Sequence, residues 1–598
     1  MANIVKTTTP HAAVLVWNYR DRLGTEDTLE DEINAVDEVI VSTASLISIS
    51  TAKAKGEPVG KFQLLLAPNK NWVSTITAGS WCCIMMSQSP ITKADIDKAN
   101  AEKVKFIGKI ESVRLTTVAD PETGAKQTAY RVVGVDWGHI FENNVYIDPF
   151  IDKGNNSVGA ATYIELFNKV IGVDNRSGIN TSTENITNIL SIIGQPLSKG
   201  FTDAGTTINR VAKVDFAFAM PTKMREFFGF WKDGALTTKD NVVDAIQMYT
   251  GKLQDYDQYQ DIGESSGFID PASFRGVNTL WQLLIDNSNT VLNEMYCDIR
   301  WLDNGRPTLG LYNRIKPFSF RGTSLTDERL KAALEKETFG TEKPKAQVVE
   351  EITGEVKKIL SSFQNVRTHL IPLEEVIDIE AGTNWRDKFN FIEIKPSWQI
   401  YDVLSSWVKT VAQTADVKAF QREGFRPLIV STKQFPTAGA QRKDAQNSNS
   451  MAINIDLLAG WKHILREWFF DTHRLLNGTI NIIGQNAYIQ VGDNIKIKQD
   501  VLGQTYNTNS ATINQKDSYL LAHVENITNT FRVDQNGARS WVTTISFVRG
   551  IMVSNNGKLI GEGKMDSKST DIKAQQDNTV NTVEVSSGMD ISPKRRGK

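Results

Sequence analysis

The sequence predicts an α+β protein in which two similar antiparallel β-barrel domains flank a mixed helical and hairpin middle region. Three observations carry this. A strand–glycine–strand pattern occurs near the N-terminus and again near the C-terminus, and helical periodicity is concentrated in the stretch between them. The chain has 598 residues, and a prior of roughly 150 residues per domain gives three or four domains rather than one core.

Composition narrows the class. Hydrophobic residues make up 40% and charged residues 23%, the ordinary balance of a globular protein. Lysine and arginine total 67 against 69 acidic residues, which argues against a dedicated nucleic-acid binder, since such proteins carry a basic excess. Three cysteines, Cys82, Cys83 and Cys297, cannot build a disulfide framework, so assembly in a reducing cytoplasm is expected. The opening MANIVKTTTPHAAVLVW lacks a basic region followed by a long apolar core, so no signal peptide is expected. Apolar runs such as Val14 to Trp17 fall well short of the ~20 residues of a membrane helix.

Residues 1–40 read as an N-terminal arm and 41–150 as the first β-domain. Strands are predicted at Phe62 to Ala67 and Trp72 to Ile76, then after Gly79 at Trp81 to Ile84, at Ile107 to Val113, and past the turn at Asp120 to Gly124 at Tyr130 to Asp136. These runs are β-branched or aromatic and bounded by turn residues. The order recurs in residues 456–555, read as the second β-domain with a leading helix at Leu457 to Leu475. Its strands are Leu475 to Ile483, Val491 to Ile497 around Gly492, Leu521 to Ile527, and Trp541 to Val548 beyond the turn at Gln535 to Gly537. Gly79 and Gly492 supply backbone that tolerates positive φ. Alternation in Ala522-His523-Val524-Glu525 puts apolar groups on one face and polar groups on the other.

The middle region, 151–455, carries helical spacing at Tyr163 to Val170, Ile186 to Ile193, Met224 to Trp231, Val242 to Tyr249 and Val277 to Leu292. A hairpin follows, Glu294 to Trp301 and Thr308 to Tyr312 around Asn304-Gly305, the strongest short hairpin signal. Residues 320–360 are Lys/Glu-rich and read as a charged, solvated insertion; Phe391 to Ile394 reads as a short strand. The polar tail 556–598 is too poor in apolar residues to order itself.

The block Asn293 to Arg300, with Pro307 and Arg314 to Phe318, resembles the baseplate hub proteins of contractile-tailed bacteriophages, which are related to the hub part of secretion-system spike proteins. Gly424 to Pro427, and His473 to Ile480 followed by Val491 to Ile495, are similar to segments of that family, and the resemblance covers roughly residues 41–555. It implies two tube-forming β-domains per chain and a homotrimer. Three chains would then make a pseudo-sixfold ring joining a hexameric tail tube to a trimeric central spike. It further implies contacts with the tail tube protein, the spike protein and other baseplate proteins, a virion location, and no stable membrane insertion. DNA would pass the lumen without sequence-specific binding, so a neutral or mildly acidic interior is expected. No spike domain follows residue 555, so the spike is expected as a separate chain.

No catalytic, cofactor-binding or metal-binding residue is assigned, and an enzyme is not expected. His463 and Glu467, with Asp471 and His473, have helical metal-ligand spacing but no HExxH motif. Cys82 and Cys83 are neighbours on a strand and point to opposite faces, as small buried hydrophobes do. Gly557 to Lys564 fails the phosphate-loop spacing, and Met565 stands where Ser or Thr is required. Trp137 and His139 read as core and turn residues, and no G-x-S-x-G elbow occurs. A tail-associated peptidoglycan-degrading enzyme, whose carboxylate pair need not be local in sequence, and a receptor- or glycan-binding tail module are the alternatives.

Overall fold

The computed structural model describes residues 9–19, 36–97, 102–119, 126–142, 144–146, 231–232, 235–236, 246–249, 277–286, 293–301, 307–315, 366–396, 413–432, 469–470, 472, 475–484, 488–498, 518–534, 536–554 and 582–583, with a few positions between 335 and 350. Among them the chain is mostly antiparallel β-sheet with a few short helices.

The N-terminal strands are β1 (His11–Tyr19), β2 (Val36–Ser42), β3 (Leu46–Ala54), β4 (Lys61–Leu66), β5 (Trp81–Ser87), β6 (Val104–Ala119) and β7 (Lys126–Asp136), with helices α1 (Trp72–Thr75) and α2 (Lys93–Asp97). The middle gives β8 (Asn144–Tyr146), β9 (Trp231–Lys232), β10 (Ala235–Leu236), β11 (Ile246–Tyr249), β12 (Val277–Thr279), α3 (Leu280–Asp286), β13 (Asn293–Trp301) and β14 (Pro307–Ile315). Then come β15 (Thr368–Ile371), β16 (Val376–Gly382), β17 (Phe391–Pro396), β18 (Gln413–Asp416), α4 (Val417–Glu423) and β19 (Pro427–Thr432). The C-terminal strands are β20 (Leu476–Ile483), β21 (Asn494–Lys498), β22 (Ser518–Val533), β23 (Arg539–Ser554) and β24 (Thr582–Val583).

Thirteen strands form one sheet, and its order repeats. The first unit runs β3–β4–β7–β6–β5 and the second β16–β20–β23–β22–β21, joined where β22 pairs with β3. The repetition reaches single residues. Gly79 N–H donates to Ile110 O and Ile110 N–H to Ser80 O; Gly492 N–H donates to Val524 O and Val524 N–H to Asp493 O. A bulge follows both times, between Ile110 and Ser112 and between Val524 and Asn526. A second pair of bulges, Leu46/Ser48 and Val376/Asp378, matches β3 to β16, each entered through a 3-10 turn at Thr43–Ser45 or Leu373–Glu375. Even the packing is conserved with roles exchanged. Phe62 stands opposite Gly134 on the first unit's ladder, and Gly478 opposite Phe547 on the second.

Each unit has its own apolar core. Val14, Val16, Ile49, Phe62, Leu64, Trp72, Cys82 and Ile84 are buried in the first, with Phe531 and Trp541 reaching in from the second. Ile480, Ile482, Ile495, Ile497, Val524, Ile545 and Phe547 are buried in the second. The alternating burial of β4, in which Phe62, Leu64 and Leu66 face inward, is what period-two patterning requires.

Several expectations change. Trp72 to Ile76 is not a strand: Trp72–Thr75 is a helical turn, because the Ser74 and Thr75 hydroxyls donate back to Asn71 O and close it locally. Ile246–Tyr249, the described part of an expected helix, is a strand running parallel to β14, where pairing with an available edge overrides short helical spacing. The helix expected from Val277 begins at Leu280, since Val277–Thr279 pairs with β8. Residues 11–19, placed in an N-terminal arm, supply β1 between β5 and β2. Thr582–Val583 of the polar tail adds a strand beside β18. Among the described residues the pairing closes neither unit into a barrel; both belong to one open sheet. The expected helices at 163–170 and 186–193, most of those at 224–231 and 457–475, the turn at 120–124 and nearly all of the 320–360 insertion lie outside the described residues.

Candidate functional site

The chemistry-bearing side chains converge where the β13–β14 hairpin crosses the junction of the two units. The hairpin pairs Asn293 with Ile315 through to Trp301 with Pro307. Its Tyr296 and Tyr312 rings stack at 4.6 Å and 8°, and Tyr296 fills the space above Gly492, where a Cβ would lie 2.3 Å from the ring.

Around this contact charges are buried in pairs. Lys53 Nζ bonds Asp136 and donates to Pro58 O at 2.7 Å, while the Cys297 thiol donates to the same carbonyl at 2.9 Å. Lys55 bridges Glu294, at 2.9 Å, and Glu525. His523 lies between Asn494 Oδ1 and Glu294 Oε2, each at 3.0 Å. Tyr488 Oη donates to Asp298 Oδ1 at 2.5 Å, and the amide of Val491 to Oδ2 at 3.3 Å. Thus β3 and β7 of one unit and β22 of the other are tied to one strand, β13.

The burial sets the protonation states. Burial by itself would lower the Lys53 ammonium, yet the adjacent Asp136 carboxylate outweighs it and holds Lys53 above the usual lysine range. Asp136 in turn is pushed up by burial against the pull of Lys53. Burial raises Asp298 to about 6 and the Cys297 thiol to about 12, so that thiol is no nucleophile. Burial lowers Lys105 to about 7. A second knot fixes the turn before β21: Asp493 accepts from Arg367 at 2.7 Å and sits 2.8 Å from His369 Nε2.

This arrangement is a clamp. The cavity beside it, lined by Lys53, Lys105, Asp136, Asp298, Tyr488 and Thr543, has about 40 Å³ of water-sized space, room for a few waters. Buried pairs of this kind lose much of their Coulomb gain to desolvation, but removing one partner strands a charge and costs roughly 3–5 kcal/mol. Their contribution is to fix which strand lies on which.

Among the described residues no group of three or more His, Cys, Asp and Glu side chains could hold a metal ion. His463, Glu467, Asp471 and His473, and the segment 557–564, lie outside the described residues. Cys82 and Cys83 are fully buried on β5, and burial raises both thiols. Trp137 is core; His139 is half-buried, 3.1 Å from Asp136 O, with burial lowering it to about 4. His523 departs from expectation: alternation put it on the wet face, but the hairpin covers that face and leaves it 0% exposed. Lys53, Asp136, Glu294 and Asp298 were not singled out from sequence. Their one local signal is a charge inside an apolar run, as in Met295-Tyr296-Cys297-Asp298-Ile299. No helix among the described residues is long and apolar enough to cross a membrane.

No protein-family profile matches the chain, and no curated protein sequence matches it. Among solved structures it is similar to a tail protein from Neisseria meningitidis MC58, at 9% identity and a TM-score of 0.38, covering 90% of this chain and 96% of that one. It is similar to the 43 kDa tail protein of prophage MuSo2 from Shewanella oneidensis at 10% identity and a TM-score of 0.37, covering 90% and 98%. It is also similar to a chain of the Francisella PdpA-VgrG complex, at 7% identity and a TM-score of 0.33, spanning 94% of this chain but 55% of that one.

Proposed function

We propose that this chain is a structural baseplate hub of a contractile phage tail. Three copies form a pseudo-sixfold ring that joins the hexameric tail tube to a trimeric central spike and surrounds the DNA exit channel. The observation that carries the reading is the internal duplication: strand order, glycine turns and bulges recur in both units. A chain that carries one assembly unit twice presents six similar units in a trimer, which is what a three-to-six symmetry adaptor requires. Of the segments similar to the hub family, one falls on the hairpin and one on the second unit, while Gly424 to Pro427 leads into β19 of a separate four-stranded sheet.

The site's chemistry suits this role. Its ionisable groups are consumed in pairs, and its cavity has the size of a few waters. The decisive experiment is the mass of the purified full-length particle in solution with its projected shape by negative-stain electron microscopy. A three-chain ring with a central hole is expected; a compact monomer would overturn the reading.

A further inference from the structure

The duplication leaves two strand edges without a ladder partner among the described residues, and the chain itself contains the template for joining them. In β22, residues 519–523 pair with β21 on one side, while residues 526–532 pair on that same side with β3 of the other unit, Asn526 opposite Ala54 through to Arg532 opposite Ser48. Its counterpart β6 pairs with β5 only as far as Lys109; beyond the bulge, residues 112–119 pair with β7 alone. The counterpart of β3 is β16, which pairs with β20 alone. Among the described residues one chain therefore uses the β22–β3 junction once and leaves both halves of the equivalent β6–β16 junction unpaired.

We infer that the distal half of β6 pairs antiparallel with β16 of a second copy of this chain, in the register of the internal junction. The bulges fix the equivalences: Val524 corresponds to Ile110, and Leu46 to Val376. The internal pairs Thr528–Ala52, Asn529–Thr51, Thr530–Ser50 and Phe531–Ile49 then become Arg114–Gly382, Leu115–Ala381, Thr116–Glu380 and Thr117–Ile379.

The surfaces agree with that occupant. Leu115 is 60% and Ile377 43% exposed, large apolar side chains on the two edges. Arg114 and Arg131 are exposed beside the β6 edge, whereas Asp378 and Glu380 are exposed along β16 and Glu374 in the turn that leads into it. Glu111, also exposed, sits at the bulge before the paired run. An edge of unpaired backbone donors and acceptors templates strand addition. Two different edges on one chain make a heterologous contact, which closes into a ring when the rotation allows.

The number of chains in the ring rests on the function proposed above; the register does not. The test is the full-length Leu115→Cys/Ala381→Cys variant, oxidised and run on a non-reducing gel, with Thr117→Cys/Ile379→Cys as a second pair in the same register. Opposed Cα atoms on antiparallel strands lie about 4.5–5.5 Å apart, within disulfide reach, and the native cysteines are buried. Most of the chain is expected in a ladder ending at three, with neither single variant cross-linking. Cross-linking by Leu115→Cys alone would show β6 edges meeting each other and overturn the inference. A three-chain particle that neither pair cross-links would overturn the register and leave the ring. A ladder running past three would uphold the pairing and sink the three-chain ring, and a monomeric particle would sink both.

Discussion

Gly79 and Gly492 hold the same place in the two units, with φ of 90° and 83°, but they answer to different constraints. A Cβ on Gly79 would meet nothing within 4 Å, whereas one on Gly492 would collide with the Tyr296 ring. Gly79→Ala therefore carries only the cost of positive φ, about 1–2 kcal/mol. Gly492→Ala carries that cost and must also displace a ring stacked on Tyr312. Urea unfolding of the two variants is expected to show a larger loss of stability for Gly492→Ala by at least 1 kcal/mol, on the scale of core overpacking. The need for glycine at both positions was legible in the sequence. The ring above one of them was not, because Tyr296 lies far away along the chain.

At the scale of elements, the β13–β14 hairpin lies across the junction that the β22–β3 ladder makes between the two units, and Asp298 is its pH-sensitive contact. Burial raises Asp298 to about 6 from 3.8, so the folded hairpin keeps a proton that the unfolded chain has already released. The stability this group contributes is complete below about pH 4 and is lost as the pH rises through about 6. Asp298→Asn, neutral at every pH, is expected to gain on the parent protein as the pH moves from 4 to 7. Urea midpoints across that range check this, and a constant difference between the two proteins would refute it. The hairpin itself was readable from Asn304-Gly305 between alternating strands. What it covers was not, and His523 shows the consequence: an alternating strand reports two faces but cannot say that a later hairpin will dry the polar one.

For the whole molecule, the continuous sheet and the buried charges that cross the junction predict linked stability. Phe531 and Trp541 of the second unit lie in the first unit's core. Lys55 of the first unit bonds Glu525 of the second. Hydrogen exchange followed by mass spectrometry through a urea series is therefore expected to give peptides from β4–β7 and β20–β23 a common midpoint. Two separated midpoints would mean that the units unfold independently and that the junction contributes little.

The sequence by itself made legible the strands β4 to β7, the β13–β14 hairpin, β20 to β23 and the two glycine turns, because period-two burial and positive φ are local demands that residues along one strand answer alone. It did not yield β1, β2, β3, β15 or β16. It misread Trp72–Thr75 and Ile246–Tyr249, where short apolar runs fit helix and strand equally and a hydroxyl or a neighbouring edge decided the matter. Only the tertiary structure decided that the two units share one sheet, that Lys53 and Asp136 lie against Glu294 and Asp298 of the hairpin, and that β6 and β16 have edges without a ladder partner among the described residues. Those are relations between residues hundreds of positions apart, and a ladder's second edge is filled by whichever strand folding brings there.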